Sequence, residues 1–256
     1  MKPEQFELHR RIEEDHWWFV GRRRIVRGLV RLALPPSKAT TVIDVGCGTG
    51  ANIGALAEDY ACVGMDASED AIRFAKERYP EVEFICSASL SGLGEARGRA
   101  GLFLLMDVLE HISDDSAFLS ELIAGLRPGV QLLLTVPADM SMWGPQDVHH
   151  GHFRRYDPSG LSGLWKDLPV TTRLISHFNT RLYPVIKAIR AYTRLRGQTW
   201  GEADTDLKLP GRLTNAMLER VFEGEGSRLV DLLEGRRGRG YGFGVSLIAL
   251  LRKQVS

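Results

Sequence analysis

The sequence has little of what marks several large classes of protein. Its 256 residues include only three cysteines, and no two of them form a Cys-x-x-Cys pair. Its 33 basic residues are balanced by 32 acidic ones, so no excess charge points to nucleic acid or to an acidic membrane. No apolar run approaches the ~20 residues of a membrane span, and no signal segment, repeat or low-complexity tract is apparent. These absences argue against a disulfide scaffold, a membrane-spanning protein and a disordered chain.

The composition is that of an ordinary globular protein. Hydrophobic residues make up 44% of the chain and charged residues 25%, which is enough for a substantial core. A length of 256 residues predicts one large domain, or one domain with an insertion. Cys47, Cys62 and Cys86 fall in or beside predicted strands, so we expect buried thiols in a reducing compartment and a cytoplasmic protein.

One stretch near the N-terminus organises the rest of the interpretation. Residues 40–52 read Thr-Thr-Val-Ile-Asp-Val-Gly-Cys-Gly-Thr-Gly-Ala-Asn. The apolar residues up to Val45 predict a buried strand, and a short helix of small residues follows the glycines. Glycines at such a turn let the backbone approach a ligand closely. We therefore expect a cofactor site here, with Asp44 at the end of the strand pointing into it.

Strand and helix patterns alternate along most of the chain. Repeated strand–helix units predict a parallel sheet covered by helices on both faces, with ligands bound beyond the carboxyl ends of the strands. Asp44, Asp66 and Asp107 all fall at such ends, which favours one shared site over three separate structural roles. The predicted strands are 42–45, 61–66, 82–86, 101–106, 130–136, 170–177 and 243–251.

The pattern divides the chain into four parts. Residues 1–36 form an N-terminal helical cap, and residues 37–177 form the cofactor-binding core. Residues 178–240, charged and punctuated by glycine, form a helical insertion or lid, and residues 241–256 return to the core as its final strand.

Two cofactor chemistries compete for the glycine loop. Gly46-x-Gly48-x-x-Ala51 satisfies a relaxed dinucleotide fingerprint, and Asp66 follows Gly46 by the expected twenty positions. Asp44, however, would attract the ammonium of an amino-acid cofactor and repel a pyrophosphate. Gly50 extends the loop to G-x-G-x-G, and no second nucleotide-binding half follows. The loop therefore favours S-adenosylmethionine over NAD.

Four motifs in order resemble those of class I S-adenosylmethionine-dependent methyltransferases. They are Asp44-Val-Gly-Cys-Gly-Thr-Gly50, Gly64-Met-Asp66, Met106-Asp-Val-Leu-Glu-His111 and Leu126-Arg-Pro-Gly129. The His-Trp-Trp-Phe-x-x-Arg-Arg segment from His16 and the Gly-His-Phe-Arg-Arg-Tyr segment at 151–156 resemble a bacterial branch related to ubiquinone-type O-methyltransferases. That branch is often linked to quinone, saccharide or secondary-metabolite biosynthesis. The resemblance implies a Rossmann-like sheet, mostly parallel, with its last strand antiparallel.

The resemblance also implies roles for individual residues. Asp44 and the glycine-loop backbone would hold the methionine moiety, and Asp66 would accept both ribose hydroxyls. Relatives often carry an acid after the third strand for the adenine amine; here Ser87 stands in that region and would substitute. The expected cofactor-binding set is Trp17, Arg22, Arg23, Asp44, Gly46, Cys47, Gly48, Gly50, Asn52, Asp66, Ala67, Ser87, Met106 and Asp107.

The long connection from 137 to 156 carries the candidate catalytic side chains. His152 or His150 is the candidate general base, oriented by Asp147, because the imidazole pKa of ~6.5 suits proton removal at neutral pH. In the alternative interpretation, these side chains only attach the loop to the sheet. The expected acceptor-binding residues are His111, Trp143, Arg154 and Tyr156.

Two clusters of side chains have the residue types of a metal site, and the sequence favours neither as one. His149, His150 and His152 lack an evident fourth ligand. Asp107, Glu110 and His111 resemble a divalent-metal cluster of some methyltransferases, but a helix cap and pocket wall explain Glu110 and His111 more simply. We therefore expect no metal.

The segment 184–196 predicts an amphipathic helix. Val185, Ile186, Ile189 and Tyr192 share one face, while Lys187, Arg190 and Arg194 lie away from it. We expect a lid over the acceptor pocket with solvated charges; contact with an anionic membrane is the weaker alternative.

The sequence therefore predicts an enzyme that methylates an oxygen or nitrogen of a small molecule. The alternatives are a non-methylating or cyclase-like member of the same fold, an NAD-dependent dehydrogenase and an RNA methyltransferase. The expected partner is a small-molecule acceptor without nucleic acid, and a homodimer is left open.

Overall fold

The protein is built on a seven-stranded sheet with the order β3-β2-β1-β4-β5-β7-β6. The computed structural model describes residues 3–197, 201–203 and 207–255. Neighbouring strands are parallel from β3 through β5, while β7 is antiparallel to both β5 and β6. The strands are β1 (Ser37–Val45), β2 (Tyr60–Asp66), β3 (Glu83–Cys86), β4 (Ala100–Met106), β5 (Gln131–Pro137), β6 (Val170–Phe178) and β7 (Ser246–Lys253).

Eleven α-helices lie within the described residues. Three short 3-10 turns, Leu90–Leu93, Leu109–His111 and Met140–Met142, accompany them. The helices are α1 (Pro3–Ile12), α2 (Trp17–Ala33), α3 (Ala51–Gly54), α4 (Glu69–Arg78), α5 (Ala96–Arg99), α6 (Asp115–Ala124), α7 (Pro145–His150), α8 (Pro158–Gly163), α9 (Tyr183–Arg196), α10 (Arg212–Glu223) and α11 (Gly226–Leu233).

Hydrophobic clusters cover both faces of the sheet. Successive residues of β1 alternate between them, so Val42 packs in one cluster and Ile43 in the other. The Val42 cluster includes Leu29 of α2 and Phe222 of α10, and the Ile43 cluster includes Leu122 of α6. Burial on both faces explains why the central strands read as continuous apolar runs rather than alternating patterns.

The predicted fold class is confirmed, including the antiparallel last strand. Ser68 caps α4 by accepting from the Ala71 amide at 3.3 Å, and Asp114 caps α6. The cysteine prediction is wrong at one position, because Cys86 lies at an exposed strand end while Cys47 and Cys62 are buried.

The predicted N-terminal cap consists of helices α1 and α2. It is hydrogen-bonded to the glycine loop and α4 on one side and to α10 on the other. The Glu13 carboxylate accepts a hydrogen bond from Thr49 in the glycine loop at 2.6 Å and from Arg78 of α4 at 2.5 Å. Asn215 of α10 accepts from the Trp17 amide at 2.9 Å and donates to the Asp15 carbonyl at 2.7 Å. The cap therefore connects the glycine loop with the C-terminal helices.

Helices α9, α10 and α11 occupy the predicted insertion between β6 and β7. The four-part division stays a prediction, and parts of it at 1–2, 198–200, 204–206 and 256 lie outside the described residues. Phe222 of α10 is fully buried, with its ring centroid 5.9 Å from Trp17 and 5.8 Å from Phe178. A Cβ at Gly21 would come within 2.8 Å of the Phe222 ring, so only glycine lets α10 pack this closely on α2.

The buried ring of Phe222 joins the insertion to the core, and its removal tests this packing. Phe222→Ala is expected to lower the free energy of unfolding by ~3–5 kcal/mol, because it leaves a cavity between α2, α10 and β6. Leu213→Ala on the same helix is the control, since Leu213 is 90% exposed, and it should change stability by less than about 0.5 kcal/mol. Urea denaturation of both variants measures the difference. Equal losses would contradict the packing.

Candidate active site

A cavity of about 650 Å³ lies beyond the carboxyl ends of the parallel strands. Its position agrees with the rule for open α/β sheets. Fourteen of the residues predicted for the site line this cavity. They come from several segments between α2 and the loop after α7. They are Trp17, Arg22, Gly46, Cys47, Gly48, Asn52, Asp66, Ala67, Ser87, Met106, Asp107, His111, His150 and His152.

The glycine loop has the backbone conformation that its sequence predicted. Gly46 has a φ of +75°, and a Cβ there would lie 2.6 Å from Val108, so no other residue fits without rearrangement. The Gly46 and Cys47 amides donate to the Met65 carbonyl at 2.7 and 3.0 Å. The loop therefore folds back on β2 and leaves its outer surface to the cavity.

Asp66 at the end of β2 also holds the glycine loop. One carboxylate oxygen accepts from the Gly48 amide and the other from the Ser68 amide, both at 2.9 Å. Each oxygen keeps a second lone pair, so the carboxylate can still accept two hydroxyl groups of a ligand. The side chain thus combines a structural role with a binding role.

Asp44 is fully buried behind the glycine loop, and among the described residues neither of its oxygens has a hydrogen-bond partner. Burial raises the pKa of Asp44 to about 8, with Arg22 opposing and Asp66 reinforcing the shift. An unpaired buried carboxyl is costly, and native proteins rarely keep one without a function. A cationic ligand group at this position would pair with the ionised form.

Arg22 of α2 and Asp107 after β4 form an ion pair across the cavity. Asp107 also accepts from Thr135 of β5 at 3.0 Å and has a φ of +58°, which only strong local contacts maintain in a residue other than glycine. The Arg22 guanidinium stacks over Trp18 at 4.2 Å from the ring centroid. The His-Trp-Trp-Phe-x-x-Arg-Arg segment of the cap thus places a stacked tryptophan–arginine pair beside the end of β4.

Sequence reasoning missed several cap residues that line the cavity, including Phe6, His9, Glu13 and His16. Burial lowers the pKa of His9 and of His16 to about 4 in each case, so both imidazoles are neutral at pH 7. Phe6, His9 and Glu13 belong to no motif, and His16 begins the His-Trp-Trp-Phe segment but was assigned no role in the site. Only the tertiary contact of the cap with the glycine loop reveals them.

The loop after β5 forms a histidine–carboxylate pair. His152 Nδ1 lies 3.0 Å from an Asp147 oxygen that also accepts from Arg155 Nε at 2.9 Å. Burial acts to raise the pKa of Asp147, but the hydrogen bond with His152 and the charges of Arg155 and Arg190 hold it well below its usual value. Because Asp147 engages Nδ1, the Nε2 atom of His152 is left for the cavity.

Three side chains beside this pair could hold a divalent cation. Ligand atoms of Glu110, His111 and His152 lie within 4.8 Å of one another. Glu110 is fully buried with neither oxygen partnered in the described part of the chain, and burial, with Asp107 next, raises its pKa well above the usual value. Metal-binding histidines commonly have a carboxylate partner such as Asp147. The absence of a metal stays a prediction, but Glu110 and His111 do not cap α6, since Asp114 does.

Several predicted site residues lie outside the cavity wall. Tyr156 is buried and donates to Asp115 at 2.6 Å, and Arg154 pairs with the same Asp115 at 2.7 Å. These two side chains attach the loop to α6 and so are not placed to contact an acceptor. Arg23 donates to the Glu13 carbonyl at 2.5 Å within the cap. Trp143 and Gly50 are also absent from the lining, while Asp44 and Asp147 act from behind it.

Helix α9 contributes Val185, Ile186 and Ile189 to the wall of the cavity. Its role as a lid over an acceptor stays a prediction. The expectation that the charges of α9 are simply solvated is wrong. Lys187 pairs with Asp139 at 2.9 Å, and Arg190 lies 3.3 Å from Asp147, so the basic face attaches the lid to the loop after β5.

The membrane alternative for this segment is not tested by its contacts. Within the ranges that the structure describes, no helix combines the length and the apolar character needed to cross a membrane.

The raised pKa of Asp44 predicts how the free energy of unfolding changes with pH. An unfolded aspartate has a pKa of ~3.9, so between pH 4 and 8 the unfolded chain binds fewer protons than the folded one, and folding stability falls as pH rises. Asp44→Asn has no proton to release. The free energy of unfolding of Asp44→Asn, minus that of the wild type, should therefore increase with pH across this range and reach roughly 1–3 kcal/mol at pH 8.

Urea denaturation of both proteins at several pH values measures this difference. Asp59→Asn is the control, because hydrogen bonds from Arg31 and Arg27 lower the pKa of Asp59. Asp59 is therefore ionised in both the folded and the unfolded chain over most of this range, and the difference between Asp59→Asn and the wild type should stay nearly constant. A difference between Asp44→Asn and the wild type that stays constant from pH 4 to 8 would contradict the assignment.

Comparison with known proteins agrees with this geometry. The family described as "Methyltransferase domain" matches residues 16–168. A trans-aconitate 2-methyltransferase of Azoarcus sp. (strain BH72) is 33% identical over 119 residues, covering 45% of this chain and 46% of its own. A ubiquinone biosynthesis O-methyltransferase of Caulobacter vibrioides is 30% identical over 140 residues, covering 52% and 55%. The chain thus spans about half the length of these curated relatives.

A solved structure resembles most of the chain. The plantazolicin methyltransferase BpumL, in complex with S-adenosylhomocysteine (SAH), aligns with a TM-score of 0.54 at 14% identity, covering 98% of this chain and 90% of its own. At this identity the likeness establishes the shared fold.

Proposed function

The chain belongs to the methyltransferase domain family, and from this premise we propose that it transfers a methyl group from S-adenosylmethionine to an oxygen or nitrogen of a small-molecule acceptor. The observation that carries the proposal is Asp44. A buried, unpartnered carboxylate directly before a glycine loop suits a cofactor with an ammonium group. A dinucleotide would instead bring a pyrophosphate towards it.

The cavity contains a group for each part of this cofactor. Asp44 would hold the ammonium and Arg22 the carboxylate of the methionine moiety, with the glycine loop beneath them. Asp66 would accept the ribose hydroxyls through its remaining lone pairs. Ser87, at the cavity wall after β3, supplies a hydroxyl where relatives often carry an acid for the adenine amine. These residues fit the cofactor by chemical type and position.

The bound cofactor supplies a sulfonium that is itself a potent methyl donor. The protein therefore needs to position the acceptor, exclude water and remove a proton. Correct positioning alone can contribute ~7–11 kcal/mol. His152 is the base in this proposal: Asp147 orients its ring and Nε2 faces the acceptor side. His150 is less suited, since burial lowers its pKa to about 3.

The lid and the cap close the cavity on two sides. α9 contributes apolar side chains and the cap contributes Phe6 and Trp17, which together exclude water from the reacting atoms. A role in a biosynthetic pathway for quinones, saccharides or secondary metabolites follows from the relatives and belongs to the proposal. A cyclase-like protein of the same fold remains the alternative, and it would bind the cofactor without consuming it.

The cofactor is the first part of the proposal to test. Calorimetric titration of the purified protein should show saturable binding of S-adenosylmethionine and of SAH, and none of NAD. Asp66→Asn should weaken SAH about a hundredfold, because hydrogen bonds to a charged group are worth ~1.5–3 kcal/mol each. Asp70→Asn, an exposed acid in the first turn of α4, is the matched control and should bind SAH normally.

Binding of NAD alone would overturn the assignment and make the loop a dinucleotide site. Binding of none of the three would indicate a degenerate site.

The role of His152 is tested by methyl transfer. His152→Asn should lower kcat ~10²–10⁴-fold with an acceptor found by screening radiolabelled transfer, while SAH affinity stays unchanged. His149→Asn on α7 is the control, because His149 does not line the cavity. Treatment with EDTA should leave wild-type transfer intact. Activity lost with EDTA and restored by Mn²⁺ would instead assign Glu110, His111 and His152 as metal ligands.

A further inference from the structure

The end of the cavity farthest from the glycine loop contains a polar side chain that the proposed mechanism does not use. Asn179 directly follows β6, lines the cavity and is 1% exposed. Neither its amide nitrogen nor its amide oxygen has a hydrogen-bond partner among the described residues. An unpaired buried amide lowers the stability of the folded protein, so its retention calls for an explanation.

The backbone around Asn179 is held in place independently of this amide. Asn179 has a φ of +54°, a left-handed conformation that is uncommon outside glycine. Glu225, fully buried, accepts from the Thr180 amide at 3.0 Å and from the Arg181 amide at 2.7 Å. The Thr180 hydroxyl donates to the Phe243 carbonyl at 2.7 Å. The loop therefore presents the Asn179 carboxamide in a fixed position without using its hydrogen-bonding capacity.

The start of the lid and the segment before β7 contribute apolar side chains to the cavity wall, with the polar Ser246 beside them. Leu182 and Ile186 come from the start of the lid, and Val245, whose amide donates to the Asn179 carbonyl at 3.4 Å, precedes β7; all three line the cavity. A side chain that offers both a donor and an acceptor against an apolar wall favours an uncharged partner, since a buried ion there would need a counter-charge.

The arginines of the cavity wall are already engaged by carboxylates. Arg22 pairs with Asp107, and Arg155 and Arg190 both pair with Asp147. The three guanidinium groups share two carboxylates, so each has an internal partner and one positive charge is left over. An arginine that already has such a partner attracts an anionic acceptor less strongly than an unpaired cation would.

Sheet geometry places Asn179 away from the reacting atoms. β6 is separated from β4 by β5 and β7, which is three strand spacings, or ~14 Å at ~4.8 Å per spacing. Asp107 ends β4 beside the proposed cofactor, whereas Asn179 ends β6 under the lid. An acceptor that reaches both must extend across this distance.

We propose that Asn179 binds the distal part of the acceptor, and that this part is an uncharged group with a hydrogen-bond donor beside an acceptor, such as a carboxamide, a lactam or a hydroxyl next to a carbonyl. The carboxamide of Asn179 pairs with such a group through its NH₂ and its oxygen together. The proposal rests on the proposed function, because it concerns the acceptor of that reaction.

Benzamide and benzoate are matched probes for this end of the cavity. Calorimetry and saturation-transfer NMR of the protein with SAH present should show that benzamide binds the wild type at least about tenfold more tightly than benzoate does. Asn179→Gly and Asn179→Asp should both weaken benzamide about tenfold or more, since each loses hydrogen bonds to the probe. Both substitutions tolerate the left-handed backbone, so the loop is retained.

Thr180→Ala is the control for the loop itself. It removes the hydrogen bond to Phe243, lowers the unfolding midpoint, and should leave benzamide affinity within about threefold of the wild type. Benzamide that binds all three variants like the wild type, benzamide that does not bind, or benzoate that binds as tightly as benzamide would each overturn the proposal.

SAH affinity, measured separately for every variant, keeps the two proposals distinct. Normal SAH binding with an unchanged response to benzamide refutes the role of Asn179 alone. Failure of SAH to bind the wild type refutes the proposed function.

Discussion

One buried carboxylate, that of Asp147, holds together the loop after β5 and the lid helix α9, which form the proposed acceptor half of the molecule. Asp147 has no exposed surface, and its two oxygens accept from the Gly144 amide, His152, Arg155 and Arg190. Gly144, His152 and Arg155 belong to the segment after β5, whereas Arg190 belongs to the lid helix α9. The carboxylate therefore links two segments that are distant in the chain. A buried charge is tolerated only when it is paired and hydrogen-bonded, so the carboxylate and its partners must assemble together. The orientation of the candidate base and the closure of the lid are thus two consequences of one network.

The cofactor half was predictable because its signals are local. A strand, a glycine loop and an acid at the end of the next strand lie within residues 40–66, and parallel strands bring their carboxyl ends together by topology alone. The parallel arrangement of the central strands followed from this pattern, and the antiparallel last strand followed from the resemblance. Asp66 and the glycines have the positions and backbone conformations that this reasoning required.

The acceptor half was not predictable in the same way, because its contacts join distant segments. Residue types in the loop 137–156 suggested chemistry for His150, His152, Arg154 and Tyr156, and Arg155, which lines the cavity, was not singled out. The structure divides them: His152 and His150 face the cavity, while Arg154 and Tyr156 attach the loop to Asp115. Nothing in the sequence distinguishes these two sets. The cap residues His9 and Glu13 and the amide of Asn179 were missed for the same reason, since no motif surrounds them.

Buried polar side chains near the cavity differ in how fully their hydrogen bonds are satisfied within the protein. Asp147, Asp139 and Glu225 are charged groups with several internal hydrogen bonds each, and they hold loops and helices together. Asp44, Glu110 and Asn179 are buried without such partners in the described part of the chain. Folding does not explain the second set, since each member lowers the stability of the protein without a ligand. They lie at or behind the wall of one cavity, at the ends of β1, β4 and β6, so a cofactor and an acceptor arranged along the sheet edge would satisfy all three.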